Sequence, residues 1–163
     1  MRLVKLTHPI LSLDVYNETR MRISKAPFLA LLKPAEAALI RDKKIGRAVR
    51  SAHYSLELAF VGRKRITELN RLHHKKNRQT DIISLSYFPR RMTRRMDTPL
   101  VGEIFICVPY ARAQAQRIGQ PLIEELRFLF THGLLHSFGY DHKKPRDERR
   151  MLALTYKILG RKN

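Results

Sequence analysis

The chain has 163 residues, of which 33 are Lys or Arg and 14 are Asp or Glu, so its formal net charge is +19 and its pI is about 10.8. A hydrophobic fraction of 44% with 29% charged residues excludes wholesale disorder and predicts one folded domain spanning residues 1–163. The single cysteine, Cys107, excludes an intrachain disulfide and a thiolate-rich zinc finger. The positive charge favours nucleic acid as the partner, over a cationic surface kept for solubility or for anionic lipid.

The N-terminal segment, MRLVKLTHPILSLD, has early positive charge but neither an unbroken apolar run of signal-peptide length nor a small-residue cleavage site. No window elsewhere approaches the ~18 apolar residues that a membrane span requires. We therefore expect a soluble, cytoplasmic protein with no membrane partner.

The first half of the chain alternates strand and helix patterns. Apolar and polar residues alternate over 10–17 and again over 54–62, which predicts two strands. Between them, residues 26–50 have a helical pattern that we expect to be interrupted at Pro34, because a continuous helix tolerates proline poorly. Another helix is predicted over 66–74, where apolar residues recur at helical spacing.

The second half begins with two strands, predicted at 81–88 and 102–108 by runs rich in β-branched and aromatic residues. Helices are then predicted over 109–118, from Pro121 onward, and over 146–159. Because the helices gather in the C-terminal half, we expect an α+β domain with a small mixed sheet of four strands covered by helices.

Three of the seven histidines lie within the eleven-residue stretch HGLLHSFGYDH. His132 and His136 are four residues apart on a predicted helix and share one face. Gly139 can adopt the left-handed conformation that ends a helix, so His142 can fold back toward the pair. Three converging imidazoles suit Zn²⁺, which would keep a fourth position for water, and the ligand type favours zinc over nickel, iron or manganese. The alternative is that two of these histidines are surface residues and the third is a core residue, but it does not explain the position of Gly139 between the second and third histidines.

The same spacing, H-x3-H-x2-G-x2-H, occurs in the metzincin zinc proteases, so the predicted histidine helix is metzincin-like. In those proteases a glutamate follows the first histidine and acts as the general base. Gly133 occupies that position here, and glycine cannot accept a proton from zinc-bound water. The sequence therefore disfavours peptide hydrolysis.

HGLLHSFGYDH closely resembles the H-G-x-L-H-x-x-G-Y-D-H motif of the YbeY endoribonucleases, the bacterial ribosomal-RNA maturation factors. Segments 69–87 and 101–107 are similar to that family's N…YR…PTDVLSF and LGDI-I-C segments, so the similarity covers roughly residues 54–160. The resemblance implies a zinc-dependent endoribonuclease acting on single-stranded RNA, in small-subunit ribosomal RNA 3′-end maturation and ribosome quality control. It implies one zinc ion held by the three histidines, ribosomal RNA and the small ribosomal subunit as partners, and no nucleotide cofactor.

The resemblance also indicates catalytic candidates, at positions where this sequence departs from the family. The family's active-site arginine falls on His74, and a neutral imidazole is a poor substitute for a guanidinium fork. Arg71 and Arg78, three and four residues away, are therefore alternative candidates for holding phosphate. The family's strand aspartate is Glu103 here, which keeps the charge on a longer side chain.

The resemblance leaves two features of the reaction unassigned, the attacking group and the general base. A zinc ion could lower the pKa of its bound water toward ~7, or it could polarise a phosphoryl oxygen and leave the RNA 2′-hydroxyl as the attacking group. The general base is unassigned among Asp81, Glu103 and Asp141. Asp141 is expected rather to orient a ligand imidazole or to cap its turn, and Asp81 to bond the backbone at the start of its strand.

Basic segments at 73–78, 89–95 and 143–144 are predicted to form a cationic rim that follows a phosphate backbone, and Tyr87 or Phe88 could stack a base. The competing hypothesis is a non-catalytic, RNA-binding ribosome-assembly factor with a structural zinc site. RNA cleavage that depends on the histidines would separate the two.

Overall fold

The computed structural model describes residues 4–7, 10–88 and 98–161. Within these ranges the elements follow one another as β1 (Val4–Thr7), β2 (Leu11–Asn17), α1 (Ala26–Arg41), α2 (Gly46–Arg50), β3 (Tyr54–Val61), α3 (Arg63–His74), β4 (Ile82–Ser86), β5 (Leu100–Cys107), α4 (Val108–Arg117), α5 (Leu122–Ser137) and α6 (Pro145–Ile158). The arginine-rich segment 89–95 lies outside the described residues.

The strands form one mixed sheet in the order β1-β2-β3-β5-β4. β3 pairs in parallel with both β2 and β5, whereas β1 and β4 are antiparallel edge strands. The expected α+β class and mixed sheet are confirmed, and the four strands expected are β2 to β5. β1 adds a fifth strand of four residues, VKLT, which was not predicted from the sequence.

The two faces of the sheet have separate apolar cores. On the first face, Phe28 of α1 packs on Phe60 of β3 and Phe130 of α5, with ring centroids 5.2 and 5.6 Å apart. On the second face, Ile66 of α3 and Cys107 of β5 belong to a smaller buried cluster. The central strand β3 is buried along most of its length because helices cover both of its faces.

The break expected at Pro34 is wrong, because α1 runs through that residue to Arg41. The missing N–H of Pro34 would have bonded the carbonyl of Ala30, an exposed residue whose carbonyl water can reach. The chain breaks instead at Asp42, which has an extended backbone (φ −68°, ψ 126°). The carboxylate of Asp42 accepts the N–H of Lys44 at 2.8 Å, and α2 follows.

None of the helices in the described ranges combines the length and the apolar character that crossing a bilayer requires. The longest, α1 and α5, have 16 residues each.

Candidate metal centre

Helix α5 lies close against β4 and β5 because two glycines occupy the contact. A Cβ added at Gly133 would lie 2.9 Å from Oγ of Ser84 and 3.0 Å from Cγ2 of Ile104. A Cβ at Gly102 would overlap the side chain of Ser137. This close approach fixes the rotation of α5 about its own axis and so fixes the direction of its histidines. It also explains why position 133 cannot hold the glutamate of the zinc proteases.

The three predicted histidines come together at one place. Nε2 of His132 and Nε2 of His136 are 3.2 Å apart. Gly139 has φ +86°, and the chain turns after it so that the ring of His142 lies 4.9 Å from that of His136 and 5.8 Å from that of His132, between centroids. One nitrogen from each ring lies within 4.8 Å of the others, which is compatible with a bound metal ion.

The donor set fits a tetrahedral zinc ion. Bonds of about 2.0–2.1 Å place two nitrogen ligands roughly 3.3 Å apart, close to the spacing of the two helical Nε2 atoms. His132 and His136 are half-buried and His142 is exposed, so the cluster is open to solvent on one side. Cys107 lies in the core of the second face, where burial raises the pKa of its thiol. It does not belong to the histidine cluster, so the donors at this site are nitrogen atoms.

Burial keeps the two helical imidazoles neutral. It lowers the pKa of His132 to about 4, with the neighbouring His136 and His142 acting in the same direction and Asp81 opposing them. Burial likewise lowers the pKa of His136, helped by His142 and opposed by a hydrogen bond to the backbone of Tyr140. At neutral pH both rings therefore have the unprotonated nitrogen that a metal ion requires.

The second ring nitrogen of His132 and the turn that carries His142 differ in their contacts. Nδ1 of His132 is buried and has no hydrogen-bond partner among the described residues. The carboxylate of Asp141 accepts the backbone N–H of His142 at 2.7 Å and lies 3.2 Å from Nζ of Lys143. Asp141 thus caps the turn that carries the third histidine, one of the two roles expected for it.

A buried polar cluster anchors that turn, and the sequence did not indicate its acidic member. The hydroxyl of Tyr140 donates to Oδ2 of Asp42, whose side chain is 6% exposed. A guanidinium nitrogen of Arg150 lies 2.6 Å from the same oxygen, and the guanidinium carbon is 5.7 Å from the Tyr140 ring centroid. These contacts join the turn before His142 to the end of α1 and to α6. Asp42 is 98 residues from Tyr140, so no local pattern could reveal the pair.

Two of the candidate phosphate-binding residues share a cavity at the start of β4. His74 and Arg78 line a space of about 360 Å³, together with Ile82. Ile82 also contacts α5, since its Cδ1 lies 3.0 Å from the position of a Cβ at residue 133. Arg71 is exposed on α3 and does not line this cavity.

Asn70, a buried residue, holds the segment that carries Arg78. Its Nδ2 donates to the backbone oxygen of Arg78 at 2.8 Å. The sequence signal for this role was the asparagine at the start of the family segment N…YR…PTDVLSF, to which residues 69–87 are similar.

Glu103 lies on the opposite face of the sheet from the histidines. Side chains alternate along β5, and the neighbouring Gly102 faces α5. Glu103 accepts the hydroxyl of Tyr87 and pairs in register with Glu57, whose pKa is raised by burial and then by the charge of Glu103. The structure therefore does not bring this candidate to the histidine cluster.

The remaining candidates have structural contacts. Asp81 accepts the N–H of Ile82 at 2.8 Å and lies 3.2 Å from Nε2 of Gln114, so it secures the start of β4 against α4, as expected. Phe88 is buried against Phe138, with centroids 5.3 Å apart, which removes it as a base-stacking residue.

Comparison with known proteins gives one consistent family. A family model described as Endoribonuclease YbeY matches residues 15–163, a longer range than the 54–160 expected from the motifs. Endoribonuclease YbeY of Onion yellows phytoplasma is 34% identical over 149 residues, which are 90% of this chain and 91% of that protein. Endoribonuclease YbeY of Streptococcus mutans is 37% identical over 120 residues, covering 64% of this chain and 73% of the relative.

Other comparisons are partial or concern the fold alone. Endoribonuclease YbeY of Ureaplasma parvum is 43% identical over 104 residues, and the chain spans 64% of that relative's length. A solution structure of a Thermotoga maritima protein has a TM-score of 0.54 at 22% identity and covers 91% of this chain and 89% of its own, which supports the fold. On the breadth of the family match and the phytoplasma relative, the chain belongs to the Endoribonuclease YbeY family.

Proposed function

We propose that this protein is a zinc-dependent endoribonuclease that cleaves single-stranded RNA and acts in small-subunit ribosomal RNA 3′-end maturation and ribosome quality control. The observation that carries the proposal is the convergence of His132, His136 and His142 in a chain whose relatives are named endoribonucleases. One ion, held by these three side chains, fits the cluster. A net charge of +19 suits a substrate with a phosphate backbone.

Different residues of the chain hold the metal ion and the phosphate. When bound, zinc would supply an electrophile that polarises a phosphoryl oxygen or lowers the pKa of a water molecule. His132 and His136, neutral and fixed on α5, provide ligands without first losing protons. Arg78 and His74, in the cavity at the start of β4, hold the scissile phosphate and offset its charge in the transition state. Glu103 and Asp81 have no place in this scheme, because their side chains are engaged elsewhere.

A second function, an RNA-binding ribosome-assembly factor with a structural metal, is favoured by one specific observation. Among the described residues, the group that could hold a metal ion consists of three histidines and includes no carboxylate. Its phosphate-holding cavity has His74 where the family has arginine. This alternative predicts tight RNA binding without cleavage.

The test is cleavage of a labelled single-stranded RNA by the zinc-loaded protein. The variant is His136→Ala with its fold confirmed by circular dichroism, and the matched control is His73→Gln, an exposed histidine outside the cluster. We expect cleavage by the wild type and the control, and a loss of about 10²-fold or more in His136→Ala, since metal electrophiles contribute several kcal/mol. Equal cleavage by all three would contradict the proposal. Salt-sensitive binding with no cleavage by any of them would establish the assembly factor instead.

A further inference from the structure

A second cationic cavity lies beside the turn that carries His142. It has a volume of about 530 Å³, and its lining contains five cationic side chains and one carboxylate. We call it the lysine groove, and its lining residues are Lys43, Lys44, Lys144, Arg146, Asp147 and Arg150. They come from the connection between α1 and α2, from the segment after His142 and from the first turns of α6.

The walls of the lysine groove are held in place by Asp42. Its Oδ2 bonds Arg150 at 2.6 Å and its Oδ1 accepts the backbone N–H of Lys44 at 2.8 Å. The side chain of Asp42 is itself only 6% exposed, although Arg150 and Lys44 lie at the surface. One carboxylate therefore fixes two walls of the groove relative to each other.

Most of the positive charge in the groove has no ion-pair partner among the described residues. In the described part of the chain, the side chains of Lys43, Lys44, Lys144 and Arg146 form no ion pair. Bringing four such charges to one cavity opposes folding through their mutual repulsion. An anionic ligand with several charges explains the arrangement, because it would relieve that repulsion.

The groove lies next to the turn between the second and third histidines. A smaller cavity of about 190 Å³ shares Lys44 and Arg150 with it and is lined by Gly139 and Tyr140, which lie between the second and third histidines. The lysine groove thus adjoins the His142 end of the cluster. The His74 and Arg78 cavity is linked to α5 through Ile82, whose Cδ1 approaches Gly133, the residue after His132.

We propose that the lysine groove binds the phosphodiester backbone of the RNA strand on one side of the scissile bond, while the His74 and Arg78 cavity holds the strand at the other end of the cluster. This inference rests on the proposed function and adds the path of the substrate to it. Its ligand is a run of single-stranded phosphates, bound through Lys and Arg without base recognition. RNA too short to reach the groove loses this contribution.

The experiment compares two variants with equal loss of charge. The groove variant combines Lys43→Gln, Lys44→Gln, Lys144→Gln and Arg146→Gln. The control combines substitutions at four exposed cations on other surfaces, Arg22→Gln, Lys33→Gln, Lys64→Gln and Arg117→Gln. The probe is a fluorescent single-stranded 2′-O-methyl RNA of about 16 nucleotides, and anisotropy gives Kd for the zinc-loaded full chain between 50 and 300 mM salt.

We expect the slope of log K against log salt to become shallower by about 2–3 in the groove variant and by less than about 1 in the control, since each single-strand phosphate contact contributes about 0.7. Equal slopes in the two variants would overturn the inference. Thermal melting checks the fold, and the smaller pair Lys43→Glu with Lys44→Glu repeats the test if the groove variant melts early.

Cleavage of a matching unmodified RNA separates this inference from the proposed function. A difference in slope without metal-dependent cleavage would keep the groove as an RNA site and reject the nuclease. Metal-dependent cleavage with equal slopes would keep the nuclease and reject the groove.

Discussion

Gly133 occupies the position at which zinc proteases with the same histidine spacing carry their catalytic glutamate. Its Cα faces the sheet, where side-chain atoms of Ser84, Ile104 and Ile82 lie 2.9–3.0 Å from the position of a Cβ and would have to shift to admit one. The substitution of glycine for glutamate is thus a requirement of packing as well as a loss of a base. The proposed nuclease would therefore act without a proton acceptor at that position.

Restoring the glutamate should destabilise the protein without creating a protease. We expect Gly133→Glu to lower the free energy of unfolding by about 3 kcal/mol or more, because the side chain overpacks the contact and buries a carboxylate. Gly133→Ala, the control, should cost less, since better helix propensity returns about 1 kcal/mol. Urea unfolding measures both. A Gly133→Glu protein as stable as the wild type would show that α5 does not approach the sheet as described.

His74 stands where the family has its arginine, and this predicts a gain of function. We expect His74→Arg to raise kcat/KM for RNA cleavage by about 10-fold, because a guanidinium makes charge-assisted bonds to phosphate. Arg78→Gln should lower it by about 10²-fold. Steady-state cleavage of one short RNA by both variants and by Arg71→Gln, which lies outside the cavity, measures this. An unchanged His74→Arg enzyme would mean that Arg78 alone holds the phosphate.

The connection between α1 and α2 holds the turn that carries His142 through the carboxylate of Asp42. Burial raises the pKa of Asp42, but hydrogen bonds from Tyr140 and from the backbone, and the charge of Arg150, outweigh it and leave the pKa below its usual range. A carboxylate with a lowered folded-state pKa stabilises the fold at pH values above its unfolded pKa of about 3.9. That stability is lost as the pH falls through the folded pKa.

Asp42→Asn should therefore reduce stability at neutral pH and weaken its dependence on acid. We expect a loss of roughly 2–3 kcal/mol at pH 7, because Arg150 and Tyr140 lose a buried charged partner. The loss should shrink as the pH falls below about 4. Glu68→Gln, which breaks only an exposed pair with Arg65, should cost less than about 0.5 kcal/mol. An equal loss at pH 3 and pH 7 would contradict the role of the Asp42 charge.

Tyr140 should influence zinc affinity without touching the metal. We expect Tyr140→Phe to weaken zinc binding by about 10-fold, because the turn that carries His142 loses its hydrogen bond to Asp42. Tyr156→Phe, a change in the same residue type on α6, is the control and should leave the affinity unchanged. Competition with a chromogenic chelator gives both values, and equal affinities would remove Tyr140 from the positioning of His142.

Predictions from sequence succeeded where the determining residues are neighbours along the chain. Strands β2 and β3 follow from alternation and β4 and β5 from runs rich in β-branched and aromatic residues, while the histidine cluster follows from spacing on one helix and one glycine turn. The break expected at Pro34 failed because residues on both sides of the proline, including Phe28 and Leu39, are buried against the same core. The prediction that Glu103 is catalytic failed because its side chain points to the face of the sheet opposite the histidines. Which face a strand residue occupies depends on the register of the sheet, which the sequence does not specify.

At the scale of the whole molecule, part of the positive charge behind the net +19 lines two cavities, the lysine groove and the His74 and Arg78 cavity. We expect the affinity of the wild type for single-stranded RNA to fall by about 10²–10³-fold between 50 and 200 mM salt, as engagement of six or more phosphates requires. Fluorescence anisotropy at several salt concentrations measures this, with an uncharged sugar oligomer as the control ligand. An affinity that changes less than about 5-fold would contradict a backbone-binding surface.

Zinc K-edge X-ray absorption of the zinc-loaded protein tests most directly whether the three histidines hold the metal. The account predicts three imidazole nitrogens at about 2.0–2.1 Å with one further light ligand, one zinc per chain, and loss of the site in His136→Ala. A sulfur shell from Cys107, or a zinc content unchanged in His136→Ala, would contradict the metal centre and the mechanism built on it.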